Sequence, residues 1–127
     1  MLSDEIQNNE LLYRAIKSGI PHHWKKDTNR PTSAVFKDST GLSVDRKGDR
    51  TGDVIISTFQ SKFSIKAVIS ITAEECRNAE TLPLAKPLPD NPYHAEIHRN
   101  EDNPSLTSGQ AKKLSRLARI EYLHHSS

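Results

Sequence analysis

Residues 65–77, IKAVISITAEECR, set the fold. Side chains alternate along a strand, so Ile65, Ala67, Ile69 and Ile71 share one face and Lys66, Val68 and Ser70 the other. Val68 makes the second face partly apolar, which predicts a central strand covered on both sides. The strand runs straight into a helix signal. Thr72 followed three residues later by Glu75 is a capping box, so a short helix starts there with Cys76 in its first turn.

Working outward, the segment TLPLAKPLPDNP (81–92) carries four prolines, which confines it to an edge strand or a wall of extended chain. YHAEIHR (93–99) reads as a strand with Ala95 and Ile97 toward the core and His94, Glu96 and His98 facing away. NEDNPSLTSGQ (100–110) is a polar loop. SGQAKKLSRLARIEYL (108–123) reads as one amphipathic helix capped by Thr107 or Ser108. Its buried stripe is Ala111, Leu114, Leu117, Ala118 and Tyr122 or Leu123.

On the N-terminal side, VIISTFQSKF (54–63) fits a helix with Val54, Ile55, Thr58, Phe59 and Lys62 near one side. Its β-branched content keeps a strand open as the alternative. SAVFKD (33–38) and GLSVDR (41–46) alternate and read as two strands joined by the turn residues DSTG. HHWKKDTNRP (22–31) is an irregular loop holding the only tryptophan. SDEIQNNELLYRAI (3–16) opens with Ser3 as a helix cap, and LLYRAI continues as helix or strand until Gly19 and Pro21 end it. Strands and helices alternate without a βαβ rhythm. The expectation is therefore a single compact α+β domain over 1–127, with flexible ends at about 1–8 and 124–127, a small mixed or antiparallel sheet and a C-terminal amphipathic helix.

The chain has 127 residues, enough for one core, and 34% of them are apolar. With 18 basic and 16 acidic side chains the formal charge is +2, which excludes a wholesale polyanion binder and moves attention to local patches. One cysteine excludes an internal disulfide and fits a reducing compartment. The acidic start has no apolar stretch of signal length, and no apolar run approaches a membrane span. The expected location is cytoplasmic, with no membrane partner.

Three stretches could carry chemistry. His94, Glu96 and His98 share a strand face and have ligand types that suit zinc. A third or fourth ligand is not evident, the zinc-protease helix motif is missing, and a half-exposed strand is the preferred reading; no metal and no cofactor are assigned. The second stretch, RPTSAVFKDSTGLSVDR (30–46), gathers Arg30, Thr32, Ser33, Ser43, Asp45 and Arg46, and arginine with hydroxyls is a usual set for phosphate or carboxylate. Turn capping and surface ion pairs are the plainer account of the same residues. Third, Lys112, Lys113, Arg116 and Arg119 form a basic stripe that could follow a nucleic-acid backbone but more often is a solvated face. Trp24, among His22, His23, Lys25 and Lys26, could stack a base or anchor its loop. Cys76 has acidic neighbours and no base beside it, so a buried structural thiol is expected.

Taken together, LYRAI, RPTSAVFKD, GLSVDR, VISITAEECR, PLPDNPYHAEI and AKKLSRLA resemble a group of small uncharacterised bacterial proteins. The shared segments are R-P-[ST]-S-x-x-F, L-S-V-D and P-L-P-x-N-P-x-H-A-x-I, spanning roughly Leu12 to Ala118. The resemblance implies no activity. It does single out Arg30, Pro31, Ser33, Ser43, Asp45, Asn91, Pro92 and His94, and leaves Glu96 and His98 outside its pattern. LYR and LSVD also resemble parts of ADP-ribosyltransferase-like domains, but a glutamate of their catalytic type is missing, so that likeness concerns fold alone.

Two functional expectations follow. The first is a module binding an anionic ligand, a nucleotide or nucleic acid, in one pocket lined by Arg30, Ser33, Ser43, Arg46 and His94, with Trp24 as a stacking candidate; a partner protein is the variant of it. The second is an enzyme acting on a nucleotide or phosphodiester, with His94 as general acid or base, Asp45 orienting it and Arg30 or Arg46 stabilising charge. The enzyme requires His94 to reach Asp45 or a reactive hydroxyl in a cleft, near Arg30. A purely structural role for Asn91 and His94 around the proline turn is the third reading.

Overall fold

The structure is a computed structural model and describes residues 2–125. Eight strands are present among them: β1 (Leu11–Lys17), β2 (Trp24–Lys25), β3 (Arg30–Pro31), β4 (Leu42–Arg46), β5 (Ile65–Thr72), β6 (Leu82–Ala85), β7 (His94–His98) and β8 (Arg119–Leu123). Three α-helices accompany them: α1 (Gly52–Lys62), α2 (Ala73–Asn78) and α3 (Ser108–Leu117). Six strands form one antiparallel sheet in the order β6-β7-β4-β1-β5-β8, and β2 and β3 form a small ribbon. The fold is a single compact α+β domain.

β5 holds the next-to-edge position, bonded to β1 on one side and β8 on the other. Its two apolar faces feed two clusters. Ala67, Ile69 and Ile71 join Leu12, Ile16, Leu42, Val44, Ala95 and Ile97 in the larger one. The short α2, the inner face of α3 (Ala111, Leu114) and a 3-10 turn at Ser33–Phe36 cover it. Val68 faces the opposite way and packs with Tyr13, Ile55 and Phe59, so α1 lies over β1 and β5. Thr72 and Glu75 form the capping box, and Thr107 with Gln110 makes a second one at α3. Cys76 is fully buried, and burial pushes its thiol up to about 12. It is the structural thiol the sequence suggests.

Two expected elements take another form. Ser33–Phe36 is not a strand but a 3-10 turn, with Val35 N–H donating to Thr32 and Lys37 N–H to Ala34. Val35 and Phe36, adjacent in sequence, both enter the same core cluster, whereas strand alternation would send them to opposite faces. The C-terminal helix stops at Leu117, and Arg119–Leu123 is the edge strand β8, so the final element is a strand. Ala118 adopts extended geometry, Leu117 is 40% exposed, and Ile120 and Tyr122 pack on opposite clusters. The unpaired edge of β5 overrides the helical pattern, since β-branched and aromatic residues fit a pleated surface.

The N-terminal stretch forms no helix at Ser3, but it is tied down. Ile6 is buried, Arg77 donates to the Ile6 carbonyl, and Arg46 donates to the Ser3 carbonyl. Of the expected loose ends, Met1 and residues 126–127 lie outside the described residues. Among those residues no helix is long and apolar enough to cross a membrane.

Candidate functional site

β1 and β4 pair only at Leu12 with Arg46 and Tyr13 with Asp45. Beyond that point the ladder opens, and the seam needs another donor for the carbonyls it frees. Arg14 supplies it. Its Nη1 donates to the Ser43 carbonyl at 2.7 Å and its Nε to the Val35 carbonyl at 3.1 Å. No carboxylate among the described residues pairs with it. Asp38, the acid whose charge it feels, accepts instead from the Thr40 N–H and hydroxyl. Burial lowers the Arg14 pKa, with Asp38 opposing. A half-buried guanidinium without a neutralising partner makes its surroundings electropositive.

The seam opens into a cleft of about 460 Å³. One wall is aromatic: Tyr13 from β1, with Phe59 and Phe63 at the end of α1. Phe63 is 37% exposed, and the Lys17 ammonium sits over its ring at 4.5 Å. The other wall is polar: Ser43 and Asp45 on β4, Asn91 and His94 on the approach to and start of β7. Lys62 and His23 complete the rim. The His23 pKa is lowered, first by burial and then by the charges of His22 and Arg14.

The polar wall is ordered by strand register. Asp45 lies opposite His94 and Ser43 opposite Glu96. His94 Nδ1 is 2.8 Å from the Lys86 carbonyl, which can only accept, so Nδ1 carries the proton. Nε2 is then the lone-pair nitrogen, and Ser43 Oγ stands 3.4 Å from it as donor. Asp45 takes Asn91 Nδ2 at 3.1 Å and Arg50 Nη2 at 3.3 Å, while Arg50 stacks on the Tyr93 ring at 3.6 Å. Asp45 therefore anchors the loop before β7; the Lys86 carbonyl, not Asp45, orients His94.

His94 and His98 do not converge. His98 Nε2 pairs with Glu96 Oε1 at 2.8 Å, and both crowd Gly41, where a Cβ would lie 2.7 Å from the imidazole. Among the described residues no three histidine, cysteine, aspartate or glutamate side chains gather as metal ligands.

The single pocket expected from Arg30, Ser33, Ser43, Arg46 and His94 does not form. Only Ser43 and His94 of that set reach the cleft. Arg30 Nη2 donates to the Ser115 and Arg116 carbonyls and closes the C-terminal end of α3, where a cation complements the helix dipole. Arg46 is buried in a two-pronged pair with Glu10, at 2.6 and 2.9 Å. Ser33 starts the 3-10 turn. Trp24 packs on the larger core and bonds Asn29, which makes it the loop anchor rather than a stacking platform. Arg119 leaves the basic stripe of α3 and pairs with Glu75 through two bonds of 2.9 Å each.

Arg14 is the residue that sequence reasoning missed. Its signal is present: on β1 it falls in phase with Leu12 and Ile16, two core residues, and a charge at a core position asks for a reason. Residues of the segments 30–36, 42–45 and 91–95 meet at this cleft, through Val35, through Ser43, Val44 and Asp45, and through Asn91 and His94. Comparison with protein-family models, with curated proteins and with solved structures found no match for this chain.

Proposed function

We propose that the protein binds an anionic, nucleotide-class ligand in the cleft at the β1–β4 seam. One observation carries this reading. Arg14 holds a half-buried positive charge whose hydrogen bonds go to two main-chain carbonyls and, among the described residues, to no carboxylate. A phosphate group supplies the missing charge and matches the planar guanidinium fork. Lys17 and Lys62 at the rim add positive potential, and the wall of Tyr13, Phe59 and Phe63 suits an aromatic ring. An apolar surface facing convergent polar groups is the usual form of a small-molecule site.

The test is a thermal-shift series with AMP, ADP and inorganic phosphate on the wild type, Arg14→Gln and Arg30→Gln. A ligand present at about 100 times its Kd stabilises by about 2.7 kcal/mol, an easily read rise in Tm. AMP and ADP are expected to raise the Tm of the wild type and of Arg30→Gln but not of Arg14→Gln. An equal rise in Arg14→Gln, or none in the wild type, would refute the reading.

A further inference from the structure

We infer that Ser43 and His94 form a nucleophile–base pair that cleaves phosphate esters held at Arg14. The inference rests on the anion-binding reading of the cleft and adds a reaction to it. Three features converge. Ser43 is exposed on β4, and its hydroxyl has His94 Nε2 as its partner at 3.4 Å. The Lys86 carbonyl fixes the tautomer that leaves Nε2 free to take a proton, the role a third group plays wherever a histidine activates a hydroxyl. The carbonyl of the same Ser43 accepts from the Arg14 guanidinium at 2.7 Å and both residues line one cleft, so a positive charge is held at the residue that carries the attacking oxygen.

The reaction balances with water as the second reactant. Ser43 Oγ attacks phosphorus, and its proton passes to His94 Nε2. The Oγ–P bond forms, the ester P–O bond breaks, and the leaving alkoxide takes the proton from His94. Water then attacks the phosphoserine while Nε2 accepts a proton from it. The Oγ–P bond breaks, Ser43 recovers its proton from His94, and phosphate or a phosphomonoester departs. No oxidant or reductant enters.

The experiment uses the full chain with bis(p-nitrophenyl) phosphate and, separately, with a fluorophosphonate probe whose adduct is located by mass spectrometry. Wild type is expected to release p-nitrophenol and to carry the adduct on Ser43. Ser43→Ala and His94→Gln are expected to lower release by at least about a hundredfold. Both variants keep the fold testable: the Ser43 hydroxyl is exposed, glutamine can still donate to the Lys86 carbonyl, and the AMP-induced rise in Tm reports an intact cleft. Undiminished release from Ser43→Ala, or an adduct on another residue, overturns the inference. No release and no adduct from a wild type that still responds to AMP overturns the catalysis and leaves the binding site standing. No release together with no AMP response removes both.

Discussion

Three arginines have three different fates, and the difference lies in what their charges meet. Arg46 meets a carboxylate, Arg30 meets the end of a helix, and Arg14 meets only two carbonyls. Sequence spacing ranks Arg30 and Arg46 first because both stand in a polar, turn-rich stretch; it cannot see that Glu10 and α3 claim them. His94 was legible, since strand alternation puts it on the wet face, and the structure adds its partners Lys86 and Ser43. The isolated charge of Arg14 leaves a measurable trace on its neighbour. Burial is the leading cause of the low His23 pKa, but His22 and Arg14 contribute. In Arg14→Gln the His23 imidazole is therefore expected to titrate closer to the ordinary histidine value, and phosphate binding to wild type should move it the same way. An NMR titration of His23 checks both; no movement in either case would separate His23 from the seam charge.

At the scale of elements, local signals were read well and context-dependent ones were not. The capping box at Thr72–Glu75 depends on four consecutive residues and appears as expected. The segments SAVF and RIEYL depend on what lies next to them. SAVF curls because two adjacent side chains must enter one core, and RIEYL extends because β5 offers an open edge. Glu75 links the two kinds of element, capping α2 and holding Arg119 at the start of β8. Burial alone would raise the Glu75 pKa, but the Arg119 guanidinium and the Thr72 N–H and hydroxyl outweigh it and hold it below the usual glutamate range. A depressed carboxylate contributes stability that is complete above its unfolded pKa and fades as pH falls through the folded one. Glu75→Gln retains a side chain able to close the capping box but loses the charge. It should cost under about 1 kcal/mol near neutrality, because Arg119 is half exposed, and should flatten the acid limb of stability against pH. Thr72→Ala removes the cap itself and is expected to cost about 1 kcal/mol near neutrality while keeping most of the acid limb, because Arg119 and the residue-72 N–H still hold the Glu75 carboxylate. Urea midpoints from pH 3 to 7 distinguish the two patterns.

At the scale of the molecule, the α+β class was legible because strand-period and helix-period segments alternate without βαβ order. The strand order was not. Which strands pair is decided by contacts far apart in sequence, and the order β6-β7-β4-β1-β5-β8 brings residue 14 beside residue 43 and residue 43 beside residue 94. The functional surface arises from that order: two strands that pair for two residues and then part, a helix over one side of the gap and polar β4 and β7 over the other. A net charge of +2 concealed it, because the cationic groups that matter are concentrated at one seam. The most direct test of this account is a titration of isotope-labelled protein with AMP, following backbone amides and the Arg14 Nε–H by NMR. The account predicts saturable shifts confined to Arg14, Ser43, His94 and the end of α1 near Phe63, with the Arg14 Nε–H moving most. Saturable shifts centred on Arg30, Arg46 or the exposed lysines of α3, or no shift at Arg14, would contradict it.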